Sequence, residues 1–514
     1  MIAPVAALAL ALCLPSPSSP APTPEPPPHI VVILVDDLGG ADVSLPAVEG
    51  AEELRGPAPT PHIARLAREG MRATDAYAAG PVCTPTRASL LTGQAPARHG
   101  ITYWTLHAGR DTSARHPTLS PPAWRTDGLT AEEVVLPALL KKAGYTTIHA
   151  GKAHYGAHGT SGADPRALGY DINIAGHASG APGSFRGLEN FTRSGRQGKL
   201  GGEPSVWDVP GLEKYHGQDI YLTEALAIEA VAAFEVAVRR GERVLLDFHP
   251  YAVHTPIQAN RDKLAKYEGL DPREAAYATM IESVDDAVGS ILDAIDRLGI
   301  AETTIVIFTS DNGGLSAHAR GGTPHTHNAP WRSGKGSAYE GGTRVPGIIR
   351  WPGVTRPGAV TSYPWSTFDL FPTLLNAAGV RAPEGHTIDG VDLGPVLAGR
   401  ERPARPLVWH QPHQWGAKGP GIEPFTSIRL GSEKLLHFHA GPRFELYDLA
   451  EDPGELRDLA SARPERVLAL AERLEVWLRE AGALTSIDKA SGEPIPGPLV
   501  SARALHSPAE RDGE

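Results

Sequence analysis

Apolar residues along this chain alternate between two spacings, and the alternation lays out a fold. His29-Ile30-Val31-Val32-Ile33-Leu34-Val35 is an unbroken, largely β-branched run, the pattern of a strand buried on both faces. Residues 145–149, 243–248 and 303–308 read as further strands. Helices are predicted between them: 60–70, with Thr60 as cap and Pro61 at the first position; 137–143, stopped by Gly144; 223–240, amphipathic and ended by Gly241; and from Asp271-Pro272 to near Gly299. Strand, helix, strand recurring over roughly 300 residues predicts an α/β fold, a large mainly parallel sheet sandwiched by helices. Such sheets bind ligands beyond the carboxyl ends of their strands.

Three of these strands end in polar clusters. The first runs into Asp36-Asp37, the second-last into His254-Thr255-Pro256, and the last into Ser310-Asp311-Asn312-Gly313. One aspartate after a strand is usually a helix cap or a turn former. Two acidic clusters at the ends of two parallel strands would repel each other without a cation. Oxygen donors without thiolate or imidazole suit Ca²⁺ or Mg²⁺ rather than zinc.

The 514 residues allow a large domain and a smaller one. A net charge of −11 with no block of lysine and arginine argues against nucleic acid as a partner. An anionic substrate would need a local cluster of cations. Residues 2–14 are apolar but shorter than a bilayer span, and 15–28 are a Pro/Ser/Ala/Thr tether. We read 1–28 as a cleaved secretory signal with a linker, although no lysine or arginine precedes the apolar run; a lipid anchor on Cys13 is the alternative. No later segment reaches transmembrane length, so a secreted or periplasmic protein without a membrane span is expected.

Once the leader is gone, Cys83 is the one remaining cysteine. An exported protein cannot pair it internally, so the thiol is either inert packing or chemistry. It stands in Val82-Cys83-Thr84-Pro85-Thr86-Arg87-Ala88-Ser89-Leu90-Leu91-Thr92-Gly93. A helix predicted over 87–92 would set the residue near a helix N-terminus, where an anion is favoured.

Cys-x-Pro-x-Arg followed by Leu-Thr-Gly resembles the signature of type I sulfatases, in which the cysteine is oxidised to Cα-formylglycine. Five further blocks match in the family's order. They are Val35-Asp36-Asp37-Leu38-Gly39; Gly151-Lys152-Ala153-His154-Tyr155-Gly156, with alanine where tryptophan is common; His254-Thr255-Pro256; Thr309-Ser310-Asp311-Asn312-Gly313-Gly314; and Gly334-Lys335-Gly336 with Tyr339-Glu340-Gly341-Gly342. The resemblance spans about residues 29–350 and implies the alkaline phosphatase/sulfatase fold. It also implies one Ca²⁺ held by Asp36, Asp37, Asp311, Asn312 and an oxygen of the modified Cys83. Arg87 would hold the nucleophile, while Lys152 and Lys335 grip the sulfate. A hydroxyl of the aldehyde hydrate would attack sulfur, and His254, helped by Lys335, would protonate the leaving alcohol. His154 would then deprotonate the second hydroxyl, expelling sulfate and restoring the aldehyde. A formylglycine-generating enzyme is implied as a maturation partner.

Val408-Trp409-His410-Gln411-Pro412-His413 opens a second region. Residues 427–436 and 444–449 read as strands of a small antiparallel sheet, Asp452-Pro453 as a turn and 464–481 as a closing helix. The predicted layout is a catalytic domain over 29–400, a C-terminal subdomain over 401–485 and an irregular tail over 486–514. This region resembles the sulfatase C-terminal subdomain, and a similar segment of bacterial carbohydrate sulfatases points to His413 as a substrate contact. His177, Arg332, His325 and His327 are further candidates, each as readily an ordinary surface or structural group. The implied substrate is a sulfated carbohydrate, with aryl sulfates as surrogates. The alternatives are a phosphodiesterase or phosphonate monoester hydrolase of the same superfamily, a non-enzymatic sulfoglycan binder, and a choline-type sulfatase, whose aromatic or acidic cage is not identifiable here.

Overall fold

The computed structural model describes residues 27–45, 56–315, 327–441 and 443–506. The apolar leader and His325 lie outside them. Among the described residues an eight-stranded sheet forms the centre, in the spatial order Ala359–Thr361, Met71–Ala73, Gly347–Arg350, Thr304–Ser310, His29–Val35, Arg243–His249, Tyr145–Gly151, Ile172–Ile174. Gly347–Arg350 runs antiparallel to both neighbours, and all other pairings are parallel. His29–Val35 sits inside the sheet, with Ile30 opposite Leu245 on one side and Ile305 on the other. Its alternate residues feed two cores. Val31, Ile33 and Val35 pack with Leu226, Phe234 and Ile281 of the helices Leu222–Arg239 and Pro272–Arg297. Ile30, Val32 and Leu34 pack on the opposite face with Leu90, Leu140 and Leu374. A strand buried on both faces can therefore be apolar throughout.

Local caps hold in one place and fail in another. Asp271 accepts from the amides of Arg273 (2.9 Å) and Glu274 (3.3 Å), starting the long helix as its sequence predicts. Thr60 does not cap Pro61–Glu69, because its hydroxyl accepts from the Ser44 amide at 2.9 Å. Asp285, from the long helix, caps it through the amides of Ile63 (2.8 Å) and His62 (3.1 Å).

The C-terminal region is a four-stranded antiparallel sheet of Leu407–Gln411, Phe425–Leu430, Glu433–Phe438 and Arg443–Asp448, closed by the helix Pro464–Ala481. The tail is not irregular where it is described. Ile487–Asp488 pairs with Leu119–Ser120, and Pro498–His506 is a helix whose Ala502 joins the core of the closing helix. Its start is fixed by Glu475, which accepts from the Leu499 amide at 2.7 Å, a partner too distant in sequence for the tail's own pattern to reveal.

A buried ionic cluster joins the two regions. Lys434 lies 2.8 Å from Glu340 and 3.0 Å from Glu455, and all three are fully buried. Glu340 also meets Arg344 (3.1 Å) and the Tyr77 hydroxyl (2.6 Å). Lys434→Met should cost about 3–5 kcal/mol, because buried Glu455 loses its cation and Glu340 one of its two. Denaturant unfolding measures this. Burial opposes ionisation of Glu340, but Lys434, Arg344 and Arg429 outweigh it and hold the carboxyl at about 2. Its contribution is thus complete above the ordinary glutamate range and lost as pH falls toward 2.

Candidate active site

Four neighbouring parallel strands deliver the predicted residues to one edge of the sheet, the edge where such sheets bind ligands. Asp36 and Asp37 follow His29–Val35, Asp311 and Asn312 follow Thr304–Ser310, Lys152 follows Tyr145–Gly151, and His254 follows Arg243–His249. Asp37 (φ 59°) and His154 (φ 51°) adopt left-handed backbone, which costs about 1–3 kcal/mol each and is typical of functional positions. The helix beside them begins at Cys83 itself and runs to Thr92, four residues earlier than its sequence suggests, and every residue in it is buried. Cys83 thus occupies the first helical position, with Arg87 one turn on.

Three carboxylates and three cations interlock around the thiol. Lys152 Nζ lies 2.6 Å from Asp36 Oδ1, Lys335 Nζ 2.6 Å from Asp37 Oδ1, and Arg87 Nε 2.8 Å from Asp311 Oδ2. Lys335 Nζ also reaches Cys83 Sγ at 3.3 Å, and Sγ is 3.9 Å from Asp36 Oδ1. Burial pushes the thiol up, but Lys152 and Lys335 outweigh it and bring it down to about 7. Asn312 Nδ2 donates to Asp37 Oδ1 at 2.8 Å, and the Asp37 amide donates to Asp311 Oδ1 at 3.2 Å.

A cation fits this donor set. Asp36 Oδ2, Asp37 Oδ2 and Asn312 Oδ1 are buried without a hydrogen-bond partner, a costly state for oxygens in a dry site. Burial, against the pull of Lys152, pushes the Asp36 carboxyl well above its usual range, and Asp311 and Asp37 add to the push. Ligand atoms of Asp36, Asp37, Cys83 and His254 lie within 4.8 Å of one another. Of these donors the carboxylate oxygens of Asp36 and Asp37, with the Asn312 amide oxygen, are the hard ones that match Ca²⁺ or Mg²⁺; Asp311 is not part of this group.

The two histidines differ in environment. His154 Nε2 lies 2.8 Å from the Thr105 carbonyl, which only accepts, so Nε2 carries the hydrogen and Nδ1 is left as a free base. Nδ1 is buried without a partner. Burial and then Lys152 hold its pKa well below the ordinary range, so the ring is neutral. His254 Nδ1 bonds the Thr255 carbonyl at 2.9 Å, and Nε2 lies 3.7 Å from Asp37 Oδ2. Burial would lower its pKa, but Asp37 reverses the balance and raises it.

A cleft of about 520 Å³ opens over this cluster, lined by Cys83, His154, His254, Lys335, Trp104, Trp207 and Trp415 among others. Four predicted contacts are not among its lining residues; one of them, His327, lies 3.4 Å from Glu274. Both nitrogens of His413 are taken, by Thr102 (2.8 Å) and Ser113 (2.9 Å), and the ring stacks on Tyr103. Arg332 lies 3.9 Å over the Tyr339 ring and donates to the Glu455 carbonyl and to the Tyr447 hydroxyl of the C-terminal sheet. His177 acts through its backbone, accepting the His154 amide at 3.0 Å.

Residues 28–380 match the Sulfatase family model, and 333–480 match that of the N-sulphoglucosamine sulphohydrolase C-terminal region. This chain belongs to the sulfatase family. It is a type I sulfatase of the alkaline phosphatase superfamily and hydrolyses sulfuric esters. It is 33% identical to N-acetylgalactosamine-6-sulfatase of Mus musculus over 398 residues, covering 74% of this chain and 68% of the relative. It is 29% identical to a sulfatase of Formosa agariphila, covering 92% and 93%. Its fold overlays the crystal structure of Ps i-CgsB with a TM-score of 0.72 at 25% identity, covering 93% and 97%.

Several parts of this sulfatase's site escaped sequence reading. Trp415 sits in the cleft two residues after His413, with Lys335 Nζ 6.0 Å from its ring centre. Gly180 leaves room for the His154 ring, since a Cβ there would come within 2.5 Å of Cε1. Gly180→Ala should displace the buried imidazole and lower kcat by about 10²-fold, the scale of one misplaced proton-transfer group, with the melting temperature little changed. Steady-state kinetics with a thermal melt check it.

Proposed function

We propose that this sulfatase removes sulfate from a sulfated carbohydrate outside the cytoplasm, with Cys83 converted to formylglycine and one Ca²⁺ at Asp36, Asp37, Asp311 and Asn312. The observation that carries the reading is the set of buried, unpartnered oxygens beside a lysine-flanked Cys83. When present, the cation and the aldehyde hydrate supply charge neutralisation, an attacking hydroxyl and a second hydroxyl whose deprotonation restores the aldehyde. The side chain of Cys83 is buried at 3% exposure, so the generating enzyme acts on the chain before this site closes. Asp36, Asp37 and Asp311 balance Arg87, Lys152 and Lys335, and a divalent ion therefore leaves the site net positive toward a sulfate ester. Among the described residues no helix is long and apolar enough to cross a membrane.

The remaining residues position the ester and move protons. In this reading Lys152 and Lys335 hold sulfate oxygens, and Arg87, bonded to Asp311, fixes the nucleophilic position. Neutral His154, with Nδ1 free, suits a base; His254, made more basic by Asp37, suits the acid that protonates the alcohol. His154→Ala should release about one alcohol per site in a burst and then turn over slowly. His254→Ala should instead slow the first step, by about 10²–10⁴-fold on sugar sulfates and far less on nitrophenyl sulfates, which leave almost unassisted. Stopped-flow release of both alcohols separates the roles, and equal losses without a burst would refute the division. A desulfation screen on defined sulfated saccharides, with matched phosphate diesters and phosphonates alongside, tests the substrate class.

A further inference from the structure

The rim of the cleft carries two arginines that the chemistry above leaves unused. Arg193 and Arg196 form the ends of the short helix Arg193–Arg196 and both line the cleft. Residues three apart on a helix share a face, so both side chains leave the helix on the same side. Both side chains are exposed, and neither has an ion pair among the described residues, although acidic residues outnumber basic ones by 59 to 48. Arg196 is held by one bond, from Nε to the Gly183 carbonyl at 2.7 Å, which leaves its two terminal nitrogens free to bind. The Arg193 amide is fixed to Asp208 at 2.8 Å, and Thr192 caps the Gly195 amide at 2.9 Å. Gly183 packs so closely that a Cβ would lie 2.4 Å from the Arg193 nitrogen. The loop is thus preorganised to present two unpaired cations toward the site.

Flat apolar surface accompanies them. Trp104, Trp207 and Trp415 are half-buried in the same cleft. Indole faces pack against the apolar faces of sugar rings, and an arginine fork matches a carboxylate or a sulfate in two parallel bonds.

We infer that Arg193 and Arg196 form a second anion subsite, so that this enzyme selects a polyanionic oligosaccharide carrying a carboxylate or second sulfate beside the scissile sulfate. The inference rests on the carbohydrate sulfatase reading. Three disaccharides decide it: one with a single sulfate and otherwise neutral, one with an added uronate, and one with a second sulfate. The wild type should prefer at least one polyanion over the neutral sugar by about 10-fold, the scale of two exposed charge-assisted contacts, and the preferred arm identifies the anion. In R193A/R196A the ratio of kcat/KM for that sugar to kcat/KM for 4-nitrophenyl sulfate should fall by a similar factor. R193A alone, which removes no bond that holds the loop, should fall part of the way, and R193K/R196K should recover part of the loss. Calorimetric binding of the desulfated polyanionic product gives a readout independent of turnover, and its Kd should rise about 10-fold in the double variant. No polyanion preference, or a ratio and Kd unchanged in the variants, overturns the subsite. Arginine-dependent binding without turnover of any sulfate ester would count against the sulfatase chemistry alone.

Discussion

Replacing Asp311 by alanine should lower kcat/KM by about 10³-fold or more, the equivalent of several kcal/mol of transition-state charge stabilisation. Asp311 is fully buried and holds three neighbours at once: Arg87 at 2.8 Å, the Asp37 amide at 3.2 Å and Lys152 at 3.7 Å. Burial opposes its ionisation, but Arg87 and then Lys152 hold the carboxyl well below the usual carboxylate range, so it stays charged at any working pH. Its loss removes a proposed metal ligand and leaves Arg87 without its carboxylate. The stability cost should be about 3–5 kcal/mol. Asp311→Asn keeps the shape and separates lost charge from lost packing. A second readout needs no turnover: Ca²⁺ at about 100 times its Kd should stabilise the wild type by about 2.7 kcal/mol in a thermal melt, and should do so far less in either variant. Full activity in Asp311→Ala, or turnover and melting both indifferent to chelation, would remove the metal from the account.

Cys83→Ser should be the more complete loss. A serine hydroxyl can attack sulfur once, with Lys335 and Lys152 unchanged beside position 83 and Asp36. It has no second hydroxyl on the same carbon, so nothing expels the sulfate afterwards. The variant should therefore release at most about one alcohol per site and retain sulfate on the introduced serine, visible as an added mass on the peptide. Sustained turnover would show that release does not depend on an aldehyde at this position. Because serine and cysteine are close in size, the fold should persist, and a normal melting temperature separates this chemistry from misfolding.

The candidate site was legible where its residues abut a strong local pattern. The His29–Val35 strand has the bounds its apolar run predicts, and Asp36 and Asp37 come directly after it. Asp311 and Lys152 likewise come directly after the strands Thr304–Ser310 and Tyr145–Gly151, which both run two residues past their predicted ends. What failed depends on contacts between distant segments. Glu340 and Lys434 are 94 residues apart, and no periodicity announces their meeting. His413 and Trp415 lie two residues apart in one loop, and which of them reaches the cleft is decided by Thr102, Ser113 and Tyr103 elsewhere in the chain. Arg193, Arg196 and Trp207 occupy a stretch without helical or strand spacing, so their common direction exists only in the fold.

The central claim is that residue 83 is an aldehyde in the working enzyme. Peptide mass spectrometry on the fragment containing it, across preparations made with graded amounts of a formylglycine-generating enzyme, tests that claim against specific activity. Activity should rise in proportion to the aldehyde fraction and extrapolate to zero when residue 83 is wholly thiol. Full activity in protein whose Cys83 is an unmodified thiol would contradict it.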